Sequence, residues 1–202
     1  LHNELNVVLG RAQMIQDRAS DEIAAVAEPI EDAANRMLGQ ADKEREIVEL
    51  LSEPSAPTRL DLATVVDAAV ARVLATHPNA EITVEMPADV QLVTIPELER
   101  AIEELGENAV VHADDGPARV RVSGTLDDRT IELRIEDDGP GLPPEERAVI
   151  ADESDIDPLT HSSGMGLWLV KRIVSQTDGR IRFEDADASG SVVSLLLPLY
   201  DP

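Results

Sequence analysis

Residues 135–143 read Ile-Glu-Asp-Asp-Gly-Pro-Gly-Leu-Pro and place a carboxylate at the end of an apolar strand, directly before a glycine turn. Gly139 permits a tight turn, and Gly141 lets the backbone approach a flat ligand, because neither residue carries a Cβ atom. The carboxylate of Asp137 can accept a hydrogen bond from an exocyclic amine such as that of a purine. An acidic surface turn has the same composition, so evidence for a purine-binding site must come from other segments.

A polar pair lies on a predicted helix that precedes this stretch. Glu104 and Asn108 are four residues apart in the segment Glu-Leu-Gly-Glu-Asn-Ala-Val-Val-His, so they share a helix face. The Asn side chain offers a carbonyl oxygen without adding charge, and Mg²⁺ bound to phosphates often takes only one or two protein ligands. Two solvated helix residues would give the same pattern.

Small residues lead into an amphipathic helix later in the chain. Residues 161–172 read His-Ser-Ser-Gly-Met-Gly-Leu-Trp-Leu-Val-Lys-Arg. Backbone N–H groups at such a helix start form an anion site that the helix dipole favours. An ordinary helix start with flexible glycines is the alternative, because a single Gly-x-Gly is weakly specific.

Taken in this order, the three segments resemble the asparagine box and the two glycine boxes of the Bergerat ATP-binding fold, which histidine kinases, DNA gyrase and mismatch-repair ATPases share. The resemblance covers about residues 58–200. It implies a two-layer α/β sandwich that binds ATP and Mg²⁺. Neither the Rossmann nor the P-loop glycine pattern is present.

The resemblance implies a role for each matching residue. Asn108 would bind Mg²⁺, with Glu104 as a second candidate ligand, and Asp137 would bind the adenine amino group. Residues 143–163 would form a mobile lid over the nucleotide. The other implied nucleotide contacts are His112, Gly139, Gly141, Leu142, His161, Ser163, Gly164, Met165, Gly166 and Leu167.

The chain departs from the family pattern at several positions. Histidine kinases usually carry Asn at the position of Glu104, whereas gyrase-type enzymes carry there the Glu that activates water. Glu104 is therefore also a candidate general base for ATP hydrolysis. Val111 replaces a frequent basic residue, and the lid has no Phe, since Phe183 lies in a later strand. These departures affect the expected rate of ATP turnover more than the expected fold.

Apolar residues follow heptad spacing through residues 1–53, with a polar break near residues 17–21. This pattern predicts an antiparallel helical hairpin, in which Pro29 either kinks the second helix or marks its effective start. A lone hairpin cannot bury both apolar stripes, so two copies would form a four-helix bundle. A monomeric hairpin packed on the rest of the chain is the alternative.

An α+β domain is predicted after a linker at residues 54–59, and it spans residues 60–202. Its helices are expected on one side of a mixed, largely antiparallel sheet. The predicted helices are 61–76, 97–113 with Pro96 at the start, and 164–177; the predicted strands are 82–86, 118–125, 130–136, 180–185 and 191–198.

The start of the chain resembles the box that carries the phosphorylated His of histidine kinases, His-x-x-Arg-Asn-x-Leu followed by Gly five residues later. Aligning Asn3, Leu5 and Gly10 on that box puts His2 in the Arg position and the accepting His two residues upstream of Leu1. The other register makes His2 the acceptor but misplaces the Leu and the Gly. The first register is favoured, although His2 keeps the chemistry of a nucleophile when its imidazole is neutral.

The composition restricts the partners and the environment. The net charge is −24, which disfavours nucleic acid and anionic membranes as partners. Lys43 and Lys171 are the only lysines, and an acidic, lysine-poor surface suits the molar salt of a halophile, where the Debye length is about 3 Å. An ordinary acidic protein is the alternative. There is no Cys, no signal peptide and no apolar run of membrane-spanning length, which predicts a cytoplasmic chain or the soluble piece of a larger protein.

The sequence is therefore identified as similar to the catalytic core of sensor histidine kinases, of haloarchaeal type. That resemblance implies a homodimer that transfers the γ-phosphoryl group of ATP to a His and then to an Asp in the receiver domain of a response regulator. A sensory domain would lie upstream. The alternatives are a non-kinase ATPase that uses Glu104 as its base, and a nucleotide-binding scaffold that signals without turnover.

Overall fold

The computed structural model describes residues 2–52, 55–111, 113, 116–141, 165–186 and 190–200. The chain divides into two compact units, Leu1–Pro54 and Ser55–Pro202. In the described part of the chain, no helix has both the length and the apolar character that a membrane crossing requires.

The first unit consists of two helices that contact each other, α1 (His2–Arg18) and α2 (Asp21–Ser52). Small and apolar side chains are buried along them, and Gln13 Nε2 donates a hydrogen bond to Glu31 Oε1 at 3.0 Å. Helix α2 begins well before Pro29, so the expectation that Pro29 marks its start is wrong. Backbone N–H groups of Ile23 and Ala24 bond to the Ser20 carbonyl and set the start instead.

The second unit contains a five-stranded sheet with strand order β2-β4-β5-β7-β6, in which β2 is parallel to β4 and the other pairs are antiparallel. A separate antiparallel pair joins β1 and β3. Its elements are β1 (Thr58–Asp61), α3 (Leu62–Thr76), β2 (Glu81–Glu85), β3 (Gln91–Thr94), α4 (Leu98–Val111), β4 (Arg119–Leu126), β5 (Thr130–Asp137), α5 (Met165–Gln176), β6 (Arg180–Asp185) and β7 (Ser191–Pro198).

The core of this unit lies between the helices and one face of the sheet. Helix α4 contacts α3, α5, β4 and β5, and α5 contacts β6. Alternate residues of β5 and one face of α4 are buried, as their periodicities predict. Since aromatic residues make up only 1% of the chain, branched aliphatic side chains fill the core, each contributing about 1.5–3 kcal/mol when fully buried. The largest include Leu98, Ile102, Ile131, Leu133, Ile135, Leu169, Ile173, Leu195 and Leu197.

Strands β1 and β3 are absent from the sequence prediction, which assigned Thr58 and Arg59 to the linker. The two strands pair through a register that joins Thr58 to Thr94 and Asp61 to Gln91. Neither segment shows a clear alternation of apolar and polar residues, so only the long-range pairing defines them as strands. Asp61 then caps α3, because Thr64 donates to its carboxylate from both the backbone N–H and the hydroxyl, at 3.0 and 2.6 Å.

Candidate functional site

Asp137 ends strand β5 with its side chain held in one orientation. Its Oδ1 accepts hydrogen bonds from the backbone N–H groups of Gly139, at 3.0 Å, and Ser191, at 3.2 Å. The hydroxyl of Ser191 donates to Oδ2. A carboxylate has about four lone-pair positions. The three bonds therefore fix the group and leave it capacity for one further donor.

The sequence did not indicate Ser191, which lies 54 positions from Asp137 along the chain. Strand β7 brings it there, and Gly190 makes the approach possible. Gly190 has φ 105°, and a Cβ atom at this position would overlap the carbonyl oxygen of Asp137. The Gly190-Ser191 pair at the start of the last strand is the feature of the sequence that could have pointed to this contact. It cannot be interpreted without knowing that β7 pairs with β5.

The glycine turn after β5 separates two neighbouring carboxylates. Gly139 is buried, and Gly141 has φ 86°, in the region that favours glycine. Asp138 points toward β4, where it accepts a hydrogen bond from the backbone N–H of Arg119 at 3.3 Å. Asp137 points toward β7. Only Asp137 is thus held by the turn and the last strand together.

Helix α4 carries the predicted polar pair. Asn108 is half-buried, whereas Glu104, one turn earlier, has 0% of its surface exposed. Arg100 Nη2 lies 3.2 Å from Glu104 Oε2, and Arg100 Nη1 lies 3.5 Å from Glu103 Oε2. The buried carboxylate of Glu104 therefore has a cation beside it.

The start of α5 lies against the same face of α4. Met165 is the first residue of α5, and both Gly166 and Leu167 are buried. A Cβ atom on Gly166 would overlap Glu104 Oε1 and lie 2.9 Å from Glu104 Cδ. The structure therefore joins two predicted site residues from distant segments.

Other predicted residues are placed elsewhere or are not described. His2 begins α1 in the first compact unit. The remaining ones lie outside the described residues, namely His112, Leu142, His161, Ser163, Gly164 and the predicted lid at residues 143–163.

Comparison with known families agrees with this geometry. The family model described as "Histidine kinase-, DNA gyrase B-, and HSP90-like ATPase" matches residues 93–201, more than half of the chain. The chain belongs to this family. The match includes α4 with Asn108, the turn after Asp137, the start of α5 and strand β7, so every element of the site lies inside the family domain.

Two curated relatives of the chain are named as histidine kinases. The sensor-like histidine kinase SenX3 of Mycobacterium tuberculosis is 28% identical over 204 residues, which cover 95% of this chain and 49% of SenX3. The signal transduction histidine-protein kinase/phosphatase MprB of Mycolicibacterium smegmatis is 30% identical over 150 residues, covering 70% of this chain and 30% of MprB. The chain spans at most about half the length of these relatives.

Solved structures show the same fold. A mycobacterial sensor histidine kinase MprB structure has a TM-score of 0.60 at 27% identity, and covers 72% of this chain and 100% of that chain. Full-length ShkA in complex with AMPPNP has a TM-score of 0.68 at 18% identity, and covers 100% of this chain and 44% of that chain. The second likeness supports the fold alone.

Proposed function

We propose that this chain is the catalytic core of a sensor histidine kinase, which binds Mg²⁺-ATP and transfers the γ-phosphoryl group to a His. The observation that carries the proposal is the oriented carboxylate of Asp137, held by Gly139 and Ser191 inside a family ATPase domain. An oriented acceptor at a strand end suits the adenine amino group. The names of the relatives support the kinase branch of the family.

Each part of the nucleotide has a proposed partner. The adenine amino group donates to Asp137, and the backbone around Gly139 and Gly141 forms the adjoining wall. The phosphates lie near the N-terminus of α5, where the first N–H groups of a helix lack partners within the helix. His112, Leu142, His161, Ser163, Gly164, Met165 and Leu167 complete the proposed contacts.

The donor set fits a magnesium ion that is carried by the phosphates. The carboxamide oxygen of Asn108 is a hard, neutral donor on a half-buried position of α4, and Mg²⁺ with phosphates needs few protein ligands. Asn108 would hold the ion. Glu104 is poorly placed as a second ligand, because one oxygen faces Arg100 and the other packs against Gly166. When bound, the ion neutralises charge on the phosphates.

The proposed reaction needs positioning more than covalent help from the protein. A neutral imidazole nitrogen attacks the γ-phosphorus, the bond from that phosphorus to the ADP oxygen breaks, and an N–P bond forms. The imidazole proton passes to solvent. The acceptor is a His two residues upstream of Leu1 or, in the other register, His2. The phosphoryl group then moves to an Asp in the receiver domain of a response regulator. Because ATP and response regulators are proposed as the substrates, a cytoplasmic location is proposed as well.

The first unit supports dimerisation. Large apolar side chains remain exposed along α1 and α2, including Val26 at 67% and Val48 at 60%. Two contacting helices with such stripes are stabilised when a second copy buries them in a four-helix bundle. We therefore propose a homodimer through this unit. A concentration-independent monomer in sedimentation equilibrium would argue against it.

Transfer of ³²P from γ-labelled ATP tests the kinase proposal. A chain extended upstream to include a His two positions before Leu1 is expected to form an acid-labile phosphoramidate, and His2→Gln is expected to leave the label in place. Loss of the label in His2→Gln would instead identify His2 as the acceptor. Steady phosphate release without a phosphoprotein, abolished by Glu104→Gln, would favour the ATPase alternative. Binding of ATP with neither product would favour a scaffold.

A further inference from the structure

Glu104 is a carboxylate in an unusual position, because it is buried completely at the contact between α4 and α5. Burial of an ion is costly unless a partner of opposite charge accompanies it. Arg100 supplies that partner from the preceding turn of α4, at 3.2 Å. The side chain of Arg100 is itself only 23% exposed, so solvent screens the pair weakly.

We propose that Glu104, held by Arg100, is a positioning residue that fixes the start of α5 through its contact with Gly166. The proposal rests on the proposed function, since it assumes that the phosphates of ATP bind at this helix start. Gly166 is the second residue of α5, and its missing side chain is the space that the Glu104 carboxylate occupies. A carboxylate beside a helix N-terminus is also electrostatically favourable.

The charge of Arg100 has a second consequence for the nucleotide. A bare carboxylate at the start of α5 would repel the phosphates that this helix start is proposed to bind. Arg100 neutralises Glu104, so the carboxylate can fill the contact without excluding an anion. The position of Arg100 is supported in turn, because it also lies 3.5 Å from Glu103 Oε2, an oxygen that Arg72 of α3 approaches to 3.5 Å as well.

This geometry argues against Glu104 as a general base. A base must reach a water molecule within hydrogen-bond distance of the reacting atom. Glu104 has no exposed surface, its Oε2 faces Arg100, and its Oε1 packs against Gly166. The carboxylate lies at the end of a flexible side chain, but burial and the ion pair both oppose its movement out of the contact.

A double-mutant cycle between Glu104 and Gly166 tests the contact. Gly166→Ala alone is expected to raise the Kd for ATP about tenfold, since the new methyl group displaces the Glu104 carboxylate and shifts α5. In the Glu104→Ala background the same change is expected to raise Kd less than about twofold, because the obstructing carboxylate is gone. An equal factor in both backgrounds would overturn the proposal.

A matched control uses another glycine on α4. A Cβ atom on Gly106 would approach Val73 Cγ2 to 3.1 Å and would have no side-chain atom of Glu104 within 4 Å, so Gly106→Ala and Glu104→Ala are expected to act additively. For both double-mutant cycles, the free energy of unfolding in urea is also measured without nucleotide. If the wild-type chain binds no ATP, the proposed function fails, and the unfolding cycle still decides whether Glu104 positions α5.

Two conservative variants separate positioning from base catalysis. Glu104→Gln fills the same space, so it is expected to keep Kd and turnover within about threefold of wild type, whereas Glu104→Ala raises Kd. Arg100→Met removes the cation that lies 3.2 Å from the buried carboxylate and is expected to raise Kd about tenfold, with rescue by Glu104→Gln in the double variant. A loss of turnover of about a hundredfold or more in Glu104→Gln, with unchanged Kd, would show that Glu104 is the base.

Discussion

At the residue scale, Asp137 shows what a sequence can and cannot predict about a site. The acidic residue at the strand end and the glycines after it were visible, because strand alternation and turn composition are local properties. The sequence already favoured Asp137 over Asp138, but the contact with Ser191 that orients this carboxylate spans 54 positions. The partner that orients the carboxylate therefore could not be predicted, although the carboxylate itself could.

Ser191→Ala should weaken ATP binding if Ser191 orients Asp137 for the adenine. The change removes the hydroxyl donor to Oδ2 and leaves the backbone N–H bond to Oδ1 in place. A hydrogen bond to a charged group contributes about 1.5–3 kcal/mol, so Kd is expected to rise by about tenfold to a hundredfold. Isothermal titration with ATP measures the change.

Ser194→Ala is the matched control for this prediction. Ser194 lies on the same strand but on the opposite face of the sheet, where Arg134 and Arg182 are its neighbours in the register. Like Ser191 it is buried. Its replacement should leave Kd unchanged, and equal losses in the two variants would mean that both act through strand stability rather than through Asp137.

At the element scale, periodicity predicted the long helices and the strands that carry the core. Alternation in β5 and the helical face of α4 come from side chains that face one common core, so local patterns suffice. The β1–β3 pair was missed because two short, partly exposed segments become strands only through each other. The observed start of α3 differs from the predicted one by a single residue, because Asp61 caps the helix from an extended backbone conformation and is not its first residue.

Asp61→Ala should destabilise the folded chain at neutral pH, and the deficit should shrink in acid. Hydrogen bonds from the Thr64 hydroxyl and backbone N–H lower the pKa of the Asp61 carboxyl below its usual value of 3.8. A lowered folded-state pKa means that this stabilisation is complete above the unfolded-state pKa and is lost as pH falls through the folded-state value. Urea unfolding of both proteins from neutral pH to about pH 2.5 measures the difference.

Asp61→Asn serves as the control for the titration. Asn is also a good N-cap residue, but it carries no group that titrates in this range. Its stability should therefore stay close to that of the wild type in acid and fall behind only where Asp61 is ionised. A deficit of Asp61→Ala that stays constant across the whole pH series would refute the capping role of the carboxylate.

At the scale of the whole molecule, the sequence predicted the ATPase domain of the family more securely than the solvent conditions to which the protein is adapted. Three short segments in a fixed order identified the ATPase domain, and the family model over residues 93–201 contains all three. The fold joins two of the three segments directly, because Gly166 at the start of α5 packs against Glu104 of α4. Net charge, in contrast, is a property of the surface as a whole and predicts the solvent conditions rather than the fold.

The charge of −24 predicts that stability rises with salt. Carboxylates outnumber basic groups across the chain, so their mutual repulsion opposes the compact state until counter-ions screen it. The Debye length falls from about 8 Å at 0.15 M to about 3 Å at 1 M, so most of the increase in unfolding free energy should occur below about 1 M KCl. Urea unfolding at stepped KCl concentrations and neutral pH measures it.

Protonation supplies the control for this salt dependence. Near the sequence pI of about 4.3 the net charge approaches zero, so the KCl dependence should largely disappear there while any general effect of salt on apolar burial remains. Equal slopes at neutral pH and near the pI would assign the effect to apolar burial instead of charge. An unfolding free energy at neutral pH that does not change with KCl would exclude a halophilic adaptation of this surface.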